Sequence, residues 1–241
     1  MQNNIIRLGH ISSTNSYATE RLKTGELNSG DVILTDFQES GRGIDRNKWI
    51  SEKGKNLLAS YIWIPSSFKA EKQFNISMAI TLAIHDFLAG CNVCPVIKWP
   101  NDILIDKKKI CGILIENTVF KENIKTSVIG FGLNLNQQEF DKNLIATSLI
   151  LETGIYYENE QVLQKIITNL ESNLSLIENN MYKEIKARYF SNLFLYNELH
   201  EYKTMKGILH GKIVDVLDTG ELVVQDEENR EHRFMFKEIS F

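Results

Sequence analysis

Four short stretches of this chain gather charged and amide side chains in patterns suited to capturing an anion. In Gln38-Glu-Ser-Gly41-Arg-Gly43-Ile-Asp-Arg-Asn-Lys-Trp49, Arg42 stands between two glycines. Glycine permits close backbone approach and positive φ, and the guanidinium adds a fixed charge. Such a loop can aim backbone N–H groups and a forked cation at one phosphate or carboxylate; the plainer reading is a solvated β–β loop. In Lys98-Trp-Pro-Asn-Asp102, Pro100 fixes its own φ and drives Trp99 toward an extended conformation. Asn101 and Asp102 then stand on a stiff backbone, or else form a β-turn with Pro100 at its second position. Lys109-Ile-Cys-Gly112 starts an apolar strand with a lysine, which alternation puts on one face with Cys111 and Ile113. Gly130-Phe-Gly132-Leu-Asn134 puts an asparagine on a strand face with two glycines; asparagine is depleted in strands, so it calls for a partner.

The elements that must hold these stretches follow from hydrophobic periodicity. Residues 5–8 and 31–37 read as strands, and 56–63 is apolar on both faces, as a central strand would be. Ser12-Ser-Thr-Asn-Ser16 offers helix-capping side chains ahead of a short helix over 17–23 that Gly25 closes. Phe74, Met78, Leu82 and Ala83 recur at helical spacing over 72–88, and Gly90 caps that helix. Strands are expected at 96–99, 103–105, 110–117 and 126–135, with Asp106-Lys-Lys-Lys109 as a hairpin turn. A helix carrying Val162, Ile166, Leu170, Leu174 and Ile177 follows, and it resumes over 181–190 after a break at Asn179-Asn180. Beyond about residue 195, short alternating segments at 204–209, 212–217, 221–225 and 232–236, separated by Gly207, Gly211 and Gly220, suggest a small β barrel. The fold class is α+β: a mixed sheet with helices packed on it over 1–192, and a small β domain over 193–241.

Composition narrows the function. The chain has 241 residues, 43% hydrophobic and 24% charged, the balance of a globular protein. Its formal net charge of -4 gives no basic footprint for nucleic acid. No apolar run is long enough to cross a bilayer, and the first ten residues carry no secretion signal, so a cytoplasmic protein is expected. Cys91, Cys94 and Cys111 imply no disulfide framework, and Cys91-Asn-Val-Cys94 lacks the further ligands a zinc site needs. Neither Gly41-Arg-Gly43 nor Lys53-Gly-Lys55 fits a P-loop, and Gly130-Phe-Gly132 lacks the third glycine of a dinucleotide fingerprint. Any phosphate here is held by another design.

Ser13-Thr-Asn15, Gln38-x-x-Gly41-Arg-Gly43 with Trp49, Lys98-Trp-Pro-Asn-Asp102, Lys109-x-x-Gly112 and Gly130-x-Gly-x-Asn134 occur in one order. Together they resemble the biotin–protein ligases (biotin–[acetyl-CoA-carboxylase] ligase) over roughly residues 5–150, and the β-rich tail is similar to that family's SH3-like C-terminal domain. The resemblance implies that biotin and ATP form biotinyl-5′-AMP with release of pyrophosphate. Biotin then passes to a lysine of a biotin carboxyl carrier domain. It implies catalytic roles for Arg42, Lys109 and Asp102. Biotin would be bound by Ser13, Thr14, Asn15, Gln38, Gly41, Arg42, Gly43, Lys109 and Gly112. ATP would be bound by Arg42, Trp49, Lys98, Asn101, Lys109 and Asn134, with Mg²⁺ on its phosphates.

Two departures from the family pattern carry expectations. After Gly43 the family loop continues with a polar or basic residue and then Arg-Gly; here Ile44-Asp45-Arg46 stands. A weaker grip on the adenylate is expected, with Arg46 and Lys48 as substitutes. Some relatives carry an N-terminal helix-turn-helix, but the Ser13-Thr-Asn15 motif comes too early here to leave room, so a monofunctional ligase without DNA or membrane partners is expected. The rival readings are a lipoate or octanoate ligase or transferase of the same fold, and a non-catalytic small-ligand binding module. Fold alone does not choose among them.

Overall fold

Hydrophobic alternation is realised as two sheets in the computed structural model, which describes residues 3–44 and 47–241. The larger is built from β1 (Ile5–Leu8), β2 (Val32–Thr35), β3 (Leu57–Trp63), β4 (Pro95–Lys98), β5 (Asp102–Ile105), β6 (Lys108–Phe120) and β7 (Asn123–Leu133). Its order is β1-β2-β3-β7-β6-β5-β4, with β1 parallel to β2 and every other pair antiparallel. All seven residues of β3 are buried, as expected of a central strand covered on both sides.

Each face of this sheet has its own cover. Leu57, Ala59, Tyr61, Ile103, Cys111, Ile129 and Leu133 pack with α2 (Phe74–Ala89), α4 (Asn159–Glu178) and α5 (Tyr182–Ser191) in one large core. Helix α2 is apolar nearly all round because it lies inside this layer, where a fully buried Ile or Leu contributes about 1.5–3 kcal/mol. On the opposite face, Ile33, Ile62 and Val128 meet Ala18 of α1 (Thr14–Lys23) in a small second core.

Several boundaries differ from the sequence expectation for local reasons. Helix α1 starts at Thr14, three residues early, because Ser13 is its N-cap, with Oγ accepting from Ser16 N. It ends with Gly25 at φ 73° and bonds from Gly25 N to Leu22 O and from Glu26 N to Arg21 O, a Schellman closure. Gly90 does follow α2, but at φ −68°; the left-handed residue is Asn92. The turn after β5 has positive φ at both Asp106 and Lys107, matching the twist of a two-residue hairpin. A five-residue helix, α3 (Leu149–Thr153), was not expected; Gly154 closes it in the left-handed conformation.

The tail forms a second, antiparallel sheet in the order β11-β10-β9-β8-β12. Its strands are β8 (His200–Thr204), β9 (Gly207–Val216), β10 (Leu222–Asp226), β11 (Glu231–Phe234) and β12 (Ile239–Ser240). The expected strand at 204–209 straddles a hairpin turn at Met205 and Lys206. Gly211, expected to separate strands, lies inside β9, where a Cβ would come within 2.5 Å of the Gln225 carbonyl. Trp99 Nε1 donates to Gly220 O at 3.0 Å and Phe74 N to Asp218 O at 2.9 Å, fastening this sheet to the larger one.

Candidate active site

Strand register assembles the site on the same face as α1. Lys98 pairs with Asp102 across the β4–β5 turn, Asp102 with Gly112, and Gly112 with Gly132. One row across four strands therefore reads cation, anion, glycine, glycine. The next row is Leu114, Gly130 and Ser60, and the one after is Glu116, Val128 and Ile62.

A bulge brings Lys109 into this array. Cys111 pairs with Ile103 and Lys109 with Leu104, so Ile110 is the extra residue. The inserted residue reverses the alternation. Lys109 shares a face with Asp102 and Gly112, and not with Cys111 and Ile113 as simple alternation predicts. Its Nζ lies 2.7 Å from Asp102 Oδ1. Lys109 N also donates to Ile145 O and Lys109 O accepts from Thr147 N, which pins the backbone there.

The glycines form a floor for Trp49. A Cβ on Gly132 would overlap the indole, and one on Gly112 would come within 2.9 Å of Cζ3. Lys109 Nζ lies 5.6 Å from the ring centroid. Trp49 Nε1 is buried without a hydrogen-bond partner among the described residues.

Residues 41–44 and 47–49 close over this floor. Trp49 N donates to Gly41 O at 2.9 Å, and Gly43 N to Asn47 O at 2.7 Å. Gly41 and Gly43 do not take positive φ. Glycine is needed at 41 for a different reason: a Cβ would sit 2.5 Å from the Trp49 carbonyl. Arg42 reaches β6, where its Nη2 donates to Glu116 Oε2 at 2.6 Å. Beside it, Gln38 Oε1 accepts from Thr14 N at 2.8 Å and Thr14 Oγ1 at 3.2 Å.

Most of these residues line a cleft of about 260 Å³. Of the residues singled out from sequence, Ser13, Thr14, Asn15, Gln38, Arg42, Gly43, Trp49, Lys98, Asn101, Asp102, Lys109 and Gly112 line it. Gly41 and Asn134 do not. Asn134 follows the end of β7, its Nδ2 donates to Thr147 O at 2.9 Å, and its Oδ1 is buried without a partner among the described residues. Asn101 straps the turn to β6, donating from Nδ2 to Ile113 O at 2.8 Å and accepting from Ile113 N. The Trp99–Pro100 bond is cis, with Pro100 third in its turn where the second position was expected. Ile44 and Lys48 also line the cleft; Arg46, the other expected substitute, lies outside the described residues.

Sequence reasoning missed two contributors. Glu116 carries no motif; only its register, four pairs beyond Gly112, puts it on the site face. Phe236, Ile239, Ser240 and Phe241 supply a wall from the second sheet, with Lys98 Nζ 5.3 Å from the Phe241 ring centroid. The cysteines stay out of this chemistry. All are free, and burial pushes the Cys111 thiol up from its ordinary value. Among the described residues no three His, Cys, Asp or Glu side chains converge as a metal cluster, and Asp102 and Glu116 already face cations.

A mixed sheet whose α1 face carries a glycine floor ringed by Arg42, Lys98 and Lys109 matches one known family. A family model described as "Biotin/lipoate A/B protein ligase family" matches residues 8–134, more than half of the chain. The chain belongs to this family. It is 30% identical over 223 residues to the bifunctional ligase/repressor BirA of Bacillus spizizenii, covering 90% of this chain and 68% of that protein. It is also 30% identical over 129 residues to the biotin–[acetyl-CoA-carboxylase] ligase of Paracoccus denitrificans, covering 52% of this chain and 53% of that one. The chain thus spans about two thirds and about half of these relatives' lengths. Among solved structures, the biotin protein ligase of Aquifex aeolicus in complex with biotin and ATP superposes with a TM-score of 0.80 at 28% identity, covering 98% of this chain and 97% of that one.

Proposed function

We propose that this chain is an ATP-dependent biotin–protein ligase that activates biotin as biotinyl-5′-AMP and transfers it to a lysine of a biotin carboxyl carrier domain of biotin-dependent carboxylases. One observation carries the reading: three cations, Arg42, Lys98 and Lys109, line the one cleft in which a carboxylate would have to meet a phosphate. A carboxylate oxygen of biotin attacks the α-phosphorus of ATP, a P–O bond to pyrophosphate breaks, and an acyl phosphate forms. Two anions must approach, and fixed cations stabilise the charge that builds up between them. Mg²⁺ would enter as part of the nucleotide substrate, since among the described residues no three His, Cys, Asp or Glu side chains converge on a metal site.

In the second step the carrier lysine loses its ammonium proton to water and its neutral amine attacks the acyl carbon. AMP leaves with the bonding pair, and the remaining extra amine proton passes to water as the amide forms. Asp102 is a poor base for that amine. Carboxylates in general bind a proton far less tightly than alkylamines do. A carboxylate that already holds the Lys109 ammonium at 2.7 Å is suited to hold a second one instead. The adenylate phosphate draws Lys109 toward itself and leaves Asp102 to receive and desolvate the incoming amine. Residues 1–192 would form the catalytic unit and 193–241 the smaller one. A cytoplasmic setting suits an enzyme that consumes ATP and keeps three free thiols.

The family description includes lipoate ligases, so the test supplies the acids separately. ATP–pyrophosphate exchange is expected with biotin and not with lipoate or octanoate. Exchange with either of the others would keep the family and overturn the substrate. Silence with all three would favour a binding module.

A further inference from the structure

We propose that Glu116 is a positioning residue for activation of the acid: it fixes the Arg42 guanidinium at the cleft and acts on the reaction only through it. The inference rests on the biotin-activating reading above. Three observations lead to it. Alternation along β6 puts Gly112, Leu114 and Glu116 on the site face, and pairing with Val128 holds Glu116 on a long, well-paired strand. Its Oε2 accepts from Arg42 Nη2 at 2.6 Å and from Asn15 Nδ2 at 2.9 Å. Among the described residues no other carboxylate lies within ion-pair distance of Arg42.

The carboxylate is itself held in place. Asn15 Nδ2 also donates to Leu114 O at 3.1 Å, and Asn15 Oδ1 accepts from Ser60 Oγ at 2.6 Å. A Cβ on Gly130 would overlap the Asn15 amide, so the glycine makes room for this arrangement. The resemblance gave Asn15 to biotin. The structure uses both of its amide hydrogens and one oxygen lone pair inside the protein, and buries the residue to 3% exposure. Asn15 is therefore an orienter of Glu116.

Arg42 needs such an anchor. It stands on a glycine-flanked loop, and a free arginine side chain has many rotamers to lose on binding an anion. Glu116 takes one N–H of the fork and leaves the others for the ligand, so part of that ordering is done before the substrate arrives. A competing role has the opposite sign. Were Glu116 a stand-in that the ligand's anion must displace, removing its charge would tighten substrate binding.

The test is a double-mutant cycle with Glu116→Gln and Arg42→Ala, read by kcat/KM for biotin-dependent ATP–pyrophosphate exchange. Glu116→Gln is expected to lower kcat/KM about 10- to 100-fold, the range of one charge-assisted hydrogen bond. The same change in the Arg42→Ala background is expected to cost nothing further, because its only route of action is gone. The thermal midpoint of Glu116→Gln should stay at the wild-type value, since Gln keeps the shape and Glu116 is half-exposed. Tighter binding in Glu116→Gln, wild-type kinetics, or an equal loss with and without Arg42 would each overturn the proposal. Wild-type exchange with biotin alongside an unaffected Glu116→Gln enzyme would sink only this inference. Exchange with another acid would change the substrate and leave the cycle to be read with that acid. No exchange with any acid would overturn both.

Discussion

Asp102 meets Lys109 at 2.7 Å, and that pairing decides what its removal should do. If the carboxylate holds the carrier amine without taking its proton, Asp102→Asn should slow transfer while the pH–rate profile of the second step keeps its shape. Disappearance of one limb of that profile would make Asp102 the base. Ile44 makes a second residue-scale statement. It lines the cleft where the family pattern has a polar or basic side chain. Ile44→Arg should slow release of free biotinyl-AMP about 10-fold, the value of one charge-assisted hydrogen bond. An unchanged release rate would mean the adenylate is held elsewhere. Most of these residues were legible from their order along the chain. Glu116 was not: a glutamate four residues after a glycine has no signature until the register of β6 and β7 is known. Asn15 was legible as a site residue; it lines the cleft, and its amide also donates to Glu116.

Elements carried the larger surprises. The strands around the cleft were readable from alternation, and the hairpin after β5 from its polar turn. The direction of Lys109 was not readable, because one bulged residue, Ile110, reverses the face and leaves no mark in an apolar stretch. In the tail, Gly211 read as a break because glycine usually interrupts strands; here a neighbouring backbone comes too close for anything larger. Two predictions belong to this scale. Lys107 has φ 64° in a turn that favours Asp-Gly, so Lys107→Gly should raise stability by about 0.5–1 kcal/mol in thermal or urea unfolding. A loss of stability would show that the lysine makes contacts that matter more than its φ. On β10, Asp226 is held well below the usual carboxylate range by its hydrogen bond with His232 (2.8 Å), against burial, with help from the backbone N–H groups of Arg230 and Glu228. A depressed carboxylate stabilises the fold above its unfolded value of about 3.9, and that contribution is lost as pH falls below it. Asp226→Asn should therefore lower the thermal midpoint near neutral pH and flatten its decline in acid. Parallel curves for the two proteins would remove Asp226 from the acid response.

At the scale of the whole molecule, the two faces of the large sheet divide the labour. One is sealed under α2, α4 and α5 and supplies most of the buried apolar surface. The other is covered by α1 over part of its area, leaving the glycine rows to Trp49 and Asn15. A sheet so heavily packed on one side can tolerate Gly130 and Gly132 in a central strand, where they would otherwise weaken it. The cleft has a fourth side that comes from far along the chain. Phe236, Ile239, Ser240 and Phe241 close it, and Phe241 stands beside Lys98.

On the proposed division at residue 193, that last wall would make occupancy and docking of the small sheet a single equilibrium. A ligand that touches both sheets binds only the docked arrangement, so mass action stabilises the docking by RT ln(1 + [L]/Kd), about 2.7 kcal/mol at a hundredfold excess over Kd. Amides of β8 and β12, which hold no residue of the glycine floor, should then exchange with deuterium more slowly when biotin and ATP are present. Protection confined to residues before 193 would show that the wall stands beside the ligand without sensing it. The small sheet would otherwise serve as a gauge of a reaction whose catalytic groups lie in the larger one.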